Sequence, residues 1–113
     1  MCRKPLLKTK NLITPIIIGS TPAAYKSGLY VVSERNLIHK LETILALHLD
    51  KIIIFGMPKI HDLSGSQAWN KKGIVHTTLK TIKENFDNKF QIIADVCICQ
   101  YNLSGHCGIL NRN

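Results

Sequence analysis

The strongest constraint in this sequence is an alternation of short, β-branched apolar runs with two amphipathic stretches of helical period. Residues 12–18 are a continuous apolar run interrupted only by Thr14-Pro15, which suits a buried strand whose first residues tolerate proline. A loop of small residues follows. From Ser33, a favourable N-cap with Glu34 in the first turn, Leu37, Ile38, Leu41, Ile44, Leu45 and Leu49 recur at three- and four-residue spacing, which predicts an amphipathic helix. Residues 51–55 read as a second strand, apolar on both faces as in parallel strands covered by helices, and Gly56-Met57-Pro58 ends it. Residues 57–73 form a long polar connection, a kind of segment that often carries function. Val75, Leu79, Ile82 and Phe86 share one face and predict a second helix over 74–86, closed by Asp87-Asn88. Residues 90–96 then supply a third strand, which delivers Asp95 and Cys97 to its carboxyl end.

Strand, helix, strand, helix, strand is the pattern of a parallel sheet with right-handed crossovers, so the predicted fold class is α/β. Three strands begin either a doubly wound sheet or a barrel, and periodicity alone does not choose between them. A complete (β/α)8 barrel takes about 250 residues. The 113 residues here would be under half of one.

Composition narrows the class of protein. A hydrophobic content of 45% is that of a chain able to bury a modest core as a single domain. The apolar runs are far shorter than the roughly 20 residues that span a bilayer. Met1-Cys2-Arg3-Lys4 is basic, but Pro5 and further lysines interrupt any secretory h-region, so the expected compartment is cytoplasmic and reducing. Fifteen Lys and Arg against seven Asp and Glu give a net charge of +8, which raises nucleic-acid binding as a hypothesis. The basic residues are scattered, with Lys71-Lys72 the densest run and no aromatic RNA-binding signature, so a solvated surface is the better reading.

Chemistry concentrates near the end of the chain. Cys97 and Cys99 flank one residue, and Cys107 follows beside His106. Thiolates suit zinc, a borderline-soft ion that takes four ligands, and three protein ligands leave one position for water or substrate. The cluster begins just after the third strand, where α/β folds collect function. The ordinary alternative is a set of inert cysteines with a surface histidine. His106 stands as a fourth ligand, an outer hydrogen-bond partner or a proton shuttle. Asp95 either orients a substrate group or caps a turn. Cys2 is read as a terminal thiol, Trp69 as an anchor of the long loop, and His39, His48, His61 and His76 as surface residues.

The run Asp95-Val-Cys-Ile-Cys-Gln-Tyr-Asn-Leu-Ser-Gly-His-Cys-Gly-Ile-Leu110 is similar to the zinc-binding signature of porphobilinogen synthase, also called 5-aminolevulinate dehydratase. Three further stretches resemble the same family in the same order: residues 12–18 its first barrel strand, 54–58 its second, and 65–70 the loop that follows. The resemblance implies a TIM barrel that condenses two molecules of 5-aminolevulinate to porphobilinogen in tetrapyrrole (haem) synthesis. This chain would then be a partial (β/α)8 barrel of about three βα units, with residues 1–11 a remnant N-terminal arm and 12–113 the N-terminal portion of the barrel. By the same resemblance Cys97, Cys99 and Cys107 are the Zn2+ ligands, Asp95 lies beside substrate, and His106 takes a lesser role near the metal. The implied partners are the substrate, the rest of the barrel and a homo-octamer, with neither nucleic acid nor membrane. Asn102-Leu103-Ser104 stands where the family has Thr-Ser-His, and the segment between Ile18 and Ser33 is short. The family's two Schiff-base lysines belong to later barrel strands that nothing here matches, so the chain alone is expected to be inactive. A different reading makes it a non-catalytic zinc-binding or interaction module, or a degenerate remnant, docking a partner through its sheet edge.

Overall fold

A computed structural model describes residues 4–20, 23–24 and 29–110. Cys2 lies outside the described residues. The chain builds β1 (Thr14–Gly19), β2 (Ala23–Ala24), β3 (Tyr30–Ser33), α1 (Glu34–Ala46), β4 (Lys51–Met57), α2 (Ile74–Phe86) and β5 (Gln91–Ala94). The sheet order is β2-β3-β1-β4-β5. β3, β1, β4 and β5 run parallel, and β2 pairs antiparallel with β3.

Both helices form where the apolar period of 3.6 residues predicts. α2 has the expected bounds. α1 starts after Ser33, whose backbone is extended as an N-cap requires but whose hydroxyl makes no capping bond. It stops at Ala46, earlier than Leu49, because His48 adopts a left-handed φ of 58° and turns the chain. Leu49 still packs against the core from outside the helix.

Three expectations need correction. The segment before Ser33 is not all loop, because Tyr30–Ser33 is a strand in register with the end of β1, pairing Val31 with Ile17 and Val32 with Ile18. β1 begins at Thr14, and Leu12 and Ile13 stay exposed ahead of it: apolar side chains alone do not recruit a residue to the ladder. β5 is shorter than residues 90–96. Phe90 packs into the core, edge to face with Phe86, while Val96 has left the sheet and is 97% exposed.

The placement of the helices separates the two candidate architectures. Ile16 and Ile18 of β1 and Ile52 and Ile54 of β4 are buried in one cluster with Leu37, Leu41 and Ile44 of α1 and Ile82 and Phe86 of α2. Both helices therefore cover the same face. Burying such side chains contributes about 1.5–3 kcal/mol each, which makes this face the main source of stability. The alternate residues Pro15, Ile17, Phe55 and Met57 line a cavity of about 700 Å³ on the opposite face. β4 is thus apolar on both faces as expected, but helices cover only one. A doubly wound sheet carries helices on both faces, whereas a barrel wall carries them outside only. The arrangement is that of a wall segment of a (β/α)8 barrel, and no helix among the described residues is long and apolar enough to cross a membrane.

Candidate metal centre

β4 carries the site into position. Its first four residues pair with Gln91–Ala94 of β5, and the Asp95 N–H extends the ladder by donating to the Ile54 carbonyl at 3.1 Å. Beyond Asp95 the chain leaves the sheet at the carboxyl ends of the strands and folds into a tight turn. Tyr101 and Asn102 donate their N–H groups to the Ile98 carbonyl at 3.0 and 3.1 Å.

Two contacts fix this turn, one to β4 and one to the loop that follows it. The buried Tyr101 brings its hydroxyl against Gly56 of β4, where an added Cβ would lie 2.5 Å from the hydroxyl oxygen and 2.6 Å from Val75. Gly56 is therefore required for close approach rather than for a special backbone angle. The second contact is a parallel bridge between Asp62 and Asn102. Asp62 N–H donates to the Tyr101 carbonyl at 3.4 Å, and Leu103 N–H donates to the Asp62 carbonyl at 3.1 Å.

Asp62 also organises its own loop. Its carboxylate accepts from the Ser66 hydroxyl, from the Ser66 N–H at 2.9 Å, and from the Ser64 N–H and hydroxyl at 3.0 and 2.9 Å. These donors, Ser66 first, hold its pKa well below the usual carboxylate value. Sequence reasoning missed Asp62, although an Asp followed by serines two and four residues on is the pattern of a side-chain-closed turn. It also missed Asn102 and the pairing of Gly56 with Tyr101. Trp69 is 61% exposed and is not the anchor of the loop; Asp62 performs that task.

The three cysteines converge. Cys97 Sγ lies 3.1 Å from Cys99 Sγ and 3.3 Å from Cys107 Sγ, and all three sulfurs lie within 4.8 Å of one another as free thiols. Tetrahedral zinc with Zn–S bonds near 2.3 Å spaces its sulfurs roughly 3.8 Å apart, so a small outward shift accommodates an ion. Among the described residues no histidine nitrogen or carboxylate joins this group. The donor set is thus three soft thiols, which fits zinc and leaves a coordination position for a non-protein ligand.

Electrostatics within the cluster are uneven. The N–H of Cys99 and the thiols of Cys99 and Cys107 point to Cys97 and lower its pKa. Cys99 is pushed up to about 11, first by its hydrogen bond to Cys97 and then by desolvation. Cys107 is also raised, chiefly by Cys97. Cys97 is therefore the first thiolate to form.

The remaining candidates sit around this cluster. Asp95 is half-buried, accepts a 3.3 Å hydrogen bond from Gln100 Nε2, and shares a pocket of about 230 Å³ with Cys97 and Tyr101. The burial of Tyr101 and, to a lesser extent, the charge of Asp95 raise the pKa of Tyr101. His106 is exposed, and its contacts run through its backbone. His39, His48, His61 and His76 are all exposed, and His61 lines the large cavity together with Cys99.

A barrel-wall segment with three thiols at the carboxyl rim defines the class: a metal-competent βα-barrel chain. The family model for delta-aminolevulinic acid dehydratase matches residues 1–113, and the chain belongs to that family. Delta-aminolevulinic acid dehydratase of Methanothermus sociabilis is 41% identical over 117 residues, covering 99% of this chain and 36% of the relative. The Helicobacter pylori protein of the same name is 34% identical over 118 residues, covering 99% and 36%. That of Ruminiclostridium josui is 33% identical, covering 96% of this chain and 55% of its own length. Among solved structures, delta-aminolevulinic acid dehydratase (porphobilinogen synthase) from Toxoplasma gondii, in complex with the reaction product porphobilinogen, superposes with a TM-score of 0.85. It is 20% identical, covering 94% of this chain and 32% of that one, and it supports the barrel fold. The chain spans between about a third and about a half of the length of these relatives.

Proposed function

We propose that this chain supplies the zinc-bearing wall of a porphobilinogen synthase, the enzyme that condenses two molecules of 5-aminolevulinate to porphobilinogen in a reducing, cytoplasmic compartment. The observation that carries this reading is the convergence of Cys97, Cys99 and Cys107 at the strand ends, beside an apolar cavity of about 700 Å³. Cys97, Cys99 and Cys107 would hold the ion, and when bound it supplies Lewis acidity toward a substrate oxygen or a bound water. Asp95 stands beside Cys97, where its carboxylate suits the orientation of a substrate amine. His106 is assigned an outer role next to Cys107. Ile17, Phe55 and Leu103 give the cavity beside Cys99 apolar walls.

The uncovered face also bears on partners. Ile17 and Phe55 remain only half-buried, as expected of side chains that pack against the further strands of a closed barrel. The proposed partner is therefore polypeptide that completes the barrel, with residues 1–11 as the remnant of an assembly arm. Co-expression with a polypeptide carrying the remaining βα units tests the reading. A complex with one zinc per chain and porphobilinogen formation is expected. A stable complex containing neither zinc nor activity would overturn it.

A further inference from the structure

Cys107 is the outlying member of the thiol cluster. It is exposed, it follows a left-handed glycine (Gly105, φ 69°), and no regular element carries it. Its position 3.3 Å from Cys97 therefore needs an organiser. Asn102, only 4% exposed, uses both ends of its amide for this. Its Oδ1 accepts from the Gly105 N–H at 2.8 Å and the Ser104 hydroxyl at 2.9 Å, and its Nδ2 donates to the His106 carbonyl at 2.7 Å. Those three partners are the residues immediately before Cys107. The Asn102 backbone is in turn bracketed by Asp62, through the bonds to Tyr101 and Leu103. A buried amide with three short partners is a rigid support, because each bond it gave up would leave a desolvated polar group.

We infer that Asn102 is a positioning residue that presents Cys107 to the metal, acting through the 104–106 turn and never touching the ion. The assignment rests on the three-thiolate zinc reading above. The short amide bridges a span to the His106 carbonyl with a donor, whereas a hydroxyl has a single hydrogen to share between the same partners.

The test uses the full 113-residue chain and Co2+, whose sulfur charge-transfer absorption grows with the number of thiolates bound. Cys107→Ser supplies the two-thiolate reference spectrum. Asn102→Ala is expected to show that reduced spectrum although all three cysteines remain, with Co2+ affinity lower by about 10- to 100-fold, the usual effect of losing an outer support. Should Asn102→Ala fail to fold by circular dichroism, Asn102→Asp and Ser104→Ala decide the matter, each removing a part of the network. Both are expected to weaken Co2+ binding and reduce the band, by less than Asn102→Ala would. Folded Asn102→Ala, or both milder variants, binding Co2+ with wild-type affinity and a full three-thiolate band would overturn the inference. Absence of a thiolate band in the wild-type chain would instead defeat the zinc reading on which it rests, and the inference with it.

Discussion

The sulfur of Cys107 stands 3.3 Å from that of Cys97, although the loop between them makes no ladder with the sheet and meets the loop after β4 through the single bridge of Asn102 to Asp62. The thiol cluster is therefore held at two ends. One end is β5, which fixes Cys97 through Asp95 and Ile54. The other is the Asn102 turn, which fixes Cys107.

On the proposed zinc reading, replacing any of Cys97, Cys99 or Cys107 with serine removes a direct ligand. Zinc affinity, measured by competition with a chromophoric chelator, should fall by more than the roughly 10- to 100-fold typical of outer partners. Equal zinc affinity in Cys99→Ser and wild type would show that the cluster does not act as one site.

In the metal-free chain at neutral pH, alkylation mapped by mass spectrometry should modify Cys97 ahead of Cys99. The reactive species is the thiolate, and the cluster stabilises it on Cys97 while pushing Cys99 up to about 11. Faster labelling of Cys99 would contradict this assignment of charge.

The pKa of Asp62 is depressed in the folded state by Ser66 and Ser64. A depressed carboxylate contributes stability that is fully present above its unfolded value, about 3.9, and is lost only as pH falls through the lower folded value. The 62–66 turn should therefore persist through pH 4 and open in stronger acid. The Ser66 amide resonance, followed by NMR during acidification, should stay at its native position at pH 4. A transition centred above that pH would rule the account out.

Gly56→Ala places a methyl group 2.5 Å from the Tyr101 hydroxyl and 2.6 Å from Val75. Overpacking of this kind costs about 1–3 kcal/mol. Denaturant unfolding should show that loss, and zinc affinity should fall with it, because Tyr101 anchors the cysteine turn. An unchanged unfolding midpoint would mean that the turn is not seated on β4 in this way.

Thr78 on α2 is fully buried, and among the described residues its hydroxyl has no hydrogen-bond partner. Thr78→Val removes the unsatisfied group with little change of shape and should stabilise the fold by about 1 kcal/mol. A lowered thermal midpoint would indicate that the hydroxyl has a partner after all.

Several of these elements were legible in the amino-acid order. α2 could be bounded at both ends because Val75, Leu79, Ile82 and Phe86 repeat at helical spacing between Gly73 and Asp87. The thiol cluster was legible because its members lie within one short loop, where spacing alone limits how far apart they can be. β3 was not legible: four residues ending on an N-cap have too few alternations to announce a strand, and Val31 and Val32 are fixed by pairing with Ile17 and Ile18. Leu12 and Ile13 failed in the opposite sense, being apolar without a partner strand. Asp62 and Asn102 carry their meaning in each other, and residues so far apart in the chain give no local signal.

The order of residues by itself determined the alternation of elements, the helix faces and the three candidate ligands, because each of these follows from local period or short spacing. Only the tertiary structure decided that both helices cover one face, that Gly56 admits Tyr101, and that Asn102 seats the third thiol. Those outcomes depend on contacts between segments distant in sequence, whose geometry is set by packing and backbone pairing rather than by the properties of any one stretch of chain.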